Sequence, residues 1–144
     1  MLEKSPVVYV HEPQLITNLN FMHKKTLLIC DDDPDILDVL GLAFEPYFHT
    51  ICEADSLKVM DLVQLHKPTV VLVDLWMPFL SGDQLIRMLR RDPVGKELRV
   101  VAISASTTGR KVALSAGADS FVAKPFDMGD LLNEVKSLAN EAVA

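Results

Sequence analysis

The run Val70-Val71-Leu72-Val73 passes without a polar interruption into Asp74, and Leu75-Trp76-Met77-Pro78 follows at once. An unbroken stretch of β-type apolar residues reads as a strand buried on both faces, which in a parallel sheet means that helices cover both sides. Asp74 then stands at the carboxyl end of that strand, the edge where open α/β sheets place their ligands. Two more runs end in the same way: Thr26-Leu27-Leu28-Ile29-Cys30 leads into Asp31-Asp32-Asp33, and Val100-Val101-Ala102-Ile103 leads into Ser104. A fourth, Phe121-Val122-Ala123, leads into Lys124-Pro125. Together the four tips predict one crevice furnished with acids, a hydroxyl and an ammonium group.

Strand and helix patterns alternate five times after residue 25, so the expected fold is α/β: a doubly wound five-stranded parallel sheet, helices on both faces, right-handed connections. Asp33 can cap the first helix, Pro34 suits its first position, Ile36, Leu37, Leu40, Ala43 and Phe44 form its apolar stripe, and Pro46 ends it. Residues 48 to 54 predict the second strand, and Ser56 is a candidate cap for a helix over 57 to 66. A helix after Ser81-Gly82 turns Leu85, Ile86 and Leu89 inward, and a short one spans about 109 to 116 before Gly117. The last starts near Asp127 and buries Leu131, Leu132, Val135 and Leu138.

A length of 144 residues predicts one domain able to bury a core without disulfides, so Cys30 and Cys52 read as buried thiols. No apolar run approaches the roughly 20 residues of a membrane span. The amino-terminal stretch lacks the basic start and apolar core of a signal peptide, so a cytoplasmic location is expected. A net charge of −6 argues against direct nucleic-acid binding by this chain. Residues 1–24 are the least legible and read as an arm or linker ahead of a domain over 25–144, with Val7-Val8-Tyr9-Val10 strand-like until His11-Glu12-Pro13 interrupts. The histidines are too dispersed to ligate a metal.

The tip residues resemble the receiver domain of two-component response regulators. That pattern is an acidic pair after the first strand, a phospho-accepting Asp after the third with Met-Pro behind it, Ser or Thr after the fourth, and Lys-Pro after the fifth. Here it reads Asp31 and Asp32, Asp74 with Met77-Pro78, Ser104, and Lys124-Pro125; Gly82 and Ala116-Gly117-Ala118-Asp119 also fit. The resemblance implies a flavodoxin-like receiver fold and a signalling domain rather than an enzyme on other substrates. It implies that a sensor histidine kinase or phosphotransfer protein donates a phosphoryl group to Asp74. It further implies Mg2+ held by Asp32, Asp74 and the backbone carbonyl of Trp76, with Asp31 acting through water. Lys124 and Ser104 would hold phosphoryl oxygens, Pro125 would follow a cis bond, and Phe121 would be a switch aromatic that turns inward on phosphorylation. A homodimer is open to such a domain, and the output partner is not named by the sequence. The segment between Ser104 and Lys124 is shorter than is usual, which trims the signalling face.

The chemistry agrees with the resemblance. Phosphoryl transfer needs a nucleophile, a cation and counter-charges for the equatorial oxygens. Carboxylates about 4 Å apart repel by roughly 4 kcal/mol at an effective dielectric near 20, and a hard cation relieves that repulsion. Two other readings compete. Asp31-x-Asp33 mimics the first motif of haloacid dehalogenase-class phosphatases, but Asp35 stands where that motif wants Thr or Val. A receiver-like binding module without switching is the other, against which the intact Asp31, Asp32, Asp74, Ser104 and Lys124 weigh.

Overall fold

The computed structural model describes residues 24–141. The expected arm therefore lies, apart from Lys24, outside the described residues. Elements follow in the order β1 (Thr26–Cys30), α1 (Pro34–Phe44), β2 (His49–Glu53), α2 (Val59–His66), β3 (Val70–Asp74), α3 (Gly82–Arg91), β4 (Arg99–Ser104), α4 (Gly109–Ala116), β5 (Ser120–Ala123) and α5 (Met128–Glu141). Short 3-10 turns lie at Ser56–Lys58 and Gly95–Glu97.

The strands form one parallel sheet in the order β2-β1-β3-β4-β5. The chain winds outward from β1 to β2, returns to β3 and continues the other way, so strand order reverses between β1 and β3. Such a reversal opens a crevice at the carboxyl ends of the strands. Every residue of β3 is buried. Alternation along the strands sends Leu28, Cys30, Val71, Val73, Val100 and Ala102 to one face, where Val59, Val63, Leu85, Ile86, Leu89 and Ala113 cover them. Leu27, Ile29, Val70, Leu72, Val101 and Ile103 face the other side, under Leu37, Leu40, Phe44, Leu131 and Val135. Cys30 and Cys52 fall on opposite faces as free buried thiols, and burial pushes Cys52 up to about 12.

Side-chain caps fix where helices begin. Asp33 accepts the backbone N–H of Asp35 at 2.9 Å, with Pro34 opening α1 as the sequence predicts. Ser81 and Gln84 form a capping box on α3, the Ser81 N–H donating to Gln84 Oε1 at 3.0 Å. The start of the α2 region departs from expectation. Asp55, not Ser56, is the cap, accepting the Leu57 N–H at 2.9 Å, and a 3-10 turn precedes the helix proper at Val59. The Ser56 hydroxyl is engaged elsewhere, donating to the Pro78 carbonyl at 3.4 Å. In α5 Leu132 is only half-buried, and Ala139 joins the core.

Arg90, near the end of α3, ties together the edge of the sheet opposite the crevice. Its Nε donates to Gly117 O at 2.8 Å, Nη1 to Leu98 O at 2.7 Å, and Nη2 to Asp119 Oδ2 at 2.8 Å. No helix among the described residues is long and apolar enough to cross a membrane.

Candidate functional site

Three carboxylates converge at the reversal point of the sheet. Asp31 follows β1 and is 1% exposed; its Oδ1 accepts the Asp33 N–H at 2.9 Å, which turns the chain into α1. Asp32 beside it is exposed. Asp74 ends β3 at 5% exposure, and the ladder continues one step past it through Leu75 N–H to Ile103 O at 3.0 Å. One oxygen from each of Asp31, Asp32 and Asp74 lies within 4.8 Å of the others.

Lys124 reaches this group from the end of β5. Its Nζ stands 3.5 Å from Asp31 Oδ2 and 3.5 Å from Asp74 Oδ1, so one ammonium is shared by two carboxylates. The Lys124 N–H donates to Ser104 O at 3.0 Å, holding the tips of β4 and β5 together, and the Lys124–Pro125 bond is cis as expected. Ser104 is fully buried, and its Oγ accepts the Ser106 N–H at 3.0 Å.

One ammonium does not compensate the crowding. Burial first, then the neighbouring charge of Asp31, raises the Asp74 carboxyl to about 6, although Lys124 and the Trp76 N–H pull the other way. Burial also raises Asp31 above the usual carboxylate range, against the Asp33 N–H and Lys124. Partly buried carboxylates that share too little positive charge suit a hard divalent cation with oxygen ligands.

The loop after Asp74 is tightly drawn. Gly82 packs so close that a Cβ there would sit 2.3 Å from Asp74 O and 2.7 Å from Leu75 Cα. The Leu80 N–H donates to Pro78 O at 2.7 Å around Phe79, whose φ is 68°. That is a three-residue turn of the rare, strained hand. It presents Phe79 at 89% exposure, with Trp76 at 66%, so the Trp76 indole stands in solvent rather than covering the carboxylates.

The structure thus gathers Asp31, Asp32, Asp74 and Lys124 into one cluster, with Ser104 on the adjoining strand tip. The Phe121 ring is buried, at 7% exposure. Sequence reasoning missed two of its neighbours, Gly109 and Arg110; the Arg110 guanidinium lies 5.3 Å from the ring centroid. It also missed Glu53, a buried acid whose Oε2 accepts the Asp55 N–H at 2.9 Å.

Residues 27–136 match the sequence model of the response regulator receiver domain. The chain belongs to that family. Among curated relatives, response regulator GtcR of Aneurinibacillus migulanus is 35% identical over 106 residues, covering 72% of this chain and 43% of GtcR. The phosphate regulon transcriptional regulatory protein PhoB of Pseudomonas aeruginosa is 29% identical over 117 residues, covering 79% of this chain and 51% of PhoB. The chain thus spans about half the length of these relatives. Among solved structures, the receiver domain of a Francisella response regulator superposes with a TM-score of 0.76 at 27% identity, covering 83% of this chain and all of that one. The receiver domain of a Pseudomonas aeruginosa sensor histidine kinase, solved with magnesium coordinated in its active site cleft, gives a TM-score of 0.75 over 81% of this chain and 98% of its own; at 21% identity it speaks to the fold alone. The phosphatase reading is not favoured beside this membership.

Proposed function

We propose that this receiver domain accepts a phosphoryl group on Asp74 from a phosphohistidine of a sensor histidine kinase or phosphotransfer protein, with magnesium, and signals by a change in packing. The observation that carries the reading is the Asp74 carboxylate, 3.5 Å from the Lys124 ammonium and within 4.8 Å of oxygens from Asp31 and Asp32.

The ionised Asp74 oxygen attacks phosphorus in line with the donor nitrogen; the phosphorus–nitrogen bond breaks as the phosphorus–oxygen bond forms, leaving an acyl phosphate. Asp32 and Asp74, with the Trp76 carbonyl, would hold Mg2+ directly, and Asp31 through water. The ion supplies charge neutralisation of the phosphoryl oxygens. Lys124, already poised between two acids, pairs with one phosphoryl oxygen as a point charge, and the Ser104 hydroxyl donates to another. Phe121, packed beside Ser104, carries the change away from the site. The domain is proposed to span residues 25–144, to hydrolyse only its own acyl phosphate, and to work in the cytoplasm. The net charge of −6 supports its acting by protein contact rather than on nucleic acid. The transcriptional role in PhoB's name is that protein's.

Incubation with a small phosphodonor and magnesium is expected to add one phosphoryl group by intact mass, and chelation to prevent it. An unchanged mass, or uptake indifferent to chelation, contradicts the reading. A proton on Asp74 competes for the same oxygens as the cation, and that carboxyl titrates near 6. Magnesium affinity, read from Trp76 fluorescence, should therefore be level above that pH and fall by about tenfold per pH unit below it, as expected for one competing proton. Affinity that holds constant down to pH 5 would remove Asp74 from the ligand set.

A further inference from the structure

Gly109, the first residue of α4, is buried and does not have a positive φ, so its backbone is one that any residue adopts. A glycine there needs another reason, since alanine is the better helix former. The reason is space. A Cβ on Gly109 would lie 2.9 Å from Phe121 Cζ, 3.0 Å from Phe121 Cε1 and 3.0 Å from Ser104 Cβ. The missing methyl is the volume that the Phe121 ring and Ser104 share.

The same glycine is linked to Ser104 through the intervening backbone. Ser104 Oγ accepts the Ser106 N–H at 3.0 Å, Ser106 Oγ accepts the Thr108 N–H at 3.2 Å, and the Gly109 N–H donates to Ser106 O at 3.1 Å. A shift of Ser104 Oγ toward Asp74 would pull on the Ser106 N–H, the first bond in this series. The Arg110 guanidinium also rests over this ring, 5.3 Å from its centroid.

We propose that Gly109 is a positioning residue for the switch: it forms the seat in which the Phe121 ring rests and couples that seat to the Ser104 hydroxyl. This deepens the phosphorylation reading above and rests on it. Filling the seat with a methyl group evicts the ring and leaves Ser104 without a partner through which to act.

The test uses the full chain labelled with fluorophenylalanine, with the Phe121 resonance assigned from Phe121→Leu. Fluorine spectra and amide exchange over residues 104 to 124 are compared for wild type, Gly109→Ala and Gly109→Ala with Phe121→Leu, each with and without beryllium fluoride and magnesium. In Gly109→Ala the Phe121 resonance should move to a solvent-exposed position and the exchange response to beryllium fluoride should be lost. Phosphoryl uptake should survive, since Asp74, Lys124 and the acids that would hold the cation lie away from the added methyl, and any loss should not exceed that of Ser104→Ala. The double variant, whose smaller side chain leaves room for the methyl, should regain wild-type exchange in the absence of the mimic. A Phe121 resonance that stays in place in Gly109→Ala overturns the seat, as does a single variant that misfolds without rescue by the second change. Wild type that ignores beryllium fluoride while its Phe121 resonance still shifts in Gly109→Ala overturns the switching reading and leaves the seat standing.

Discussion

Asp74→Asn is expected to lower phosphoryl uptake from a small phosphodonor by at least about a hundredfold, equivalent to ~2.7 kcal/mol of barrier. The amide keeps the shape of the carboxylate and removes the nucleophile, and among the described residues the other acid paired with Lys124, Asp31, is the more buried, at 1% exposure against 5%. Stability should move in the opposite direction. The carboxyl is raised from 3.8 to about 6, so the folded chain holds its proton more tightly than the unfolded chain does. The stability this group contributes is complete below about pH 4 and is lost as pH rises through 6, so at pH 7 the ionised Asp74 is a burden. Removing the charge should stabilise the metal-free protein by on the order of 2 kcal/mol at pH 7. Uptake by intact mass and a thermal melt in chelator check the two halves. Labelling of Asp74→Asn at the wild-type rate would place the acceptor elsewhere.

Gly82→Ala should destabilise the domain by about 2 to 3 kcal/mol. The added methyl meets backbone, Asp74 O at 2.3 Å and Leu75 Cα at 2.7 Å, and backbone cannot swing aside as a side chain can. Helix propensity alone gives the opposite sign, since alanine is favoured over glycine in a helix by about 1 kcal/mol. The urea midpoint therefore separates close packing from propensity. An alanine variant as stable as wild type would mean that the strand tip yields without cost. A fall in midpoint should be accompanied by slower phosphoryl uptake, because the group displaced is the carbonyl of the accepting residue itself.

The crevice was legible because four of the strands carry an apolar run that stops at a polar residue on the same edge. Asp31, Asp74, Ser104 and Lys124 each close an apolar run, and one sheet edge collects them. The choice between Asp55 and Ser56 as cap was not legible, since both types cap helices and the decision rests on Pro78 O claiming the serine hydroxyl. Gly109 carried no signal either, because only the folded chain sets Phe121 and Ser104 against it. Phe79 sits at a positive φ that its side chain does not advertise. Arg90 carried no signal in the sequence, because the carbonyls its donors meet, Gly117 O and Leu98 O, come from two separate loops that only the fold brings together.

That use of Arg90 ties down one end of α4. Gly117, the residue that closes α4, is held by the guanidinium at 2.8 Å, while Gly109 at the other end is bonded to the loop that follows Ser104. On the proposed switch, a helix held at its Arg90 edge would act as a lever: a displacement begun at the crevice would be greatest at Gly109 and fade toward Gly117, which places the proposed readout at the near end.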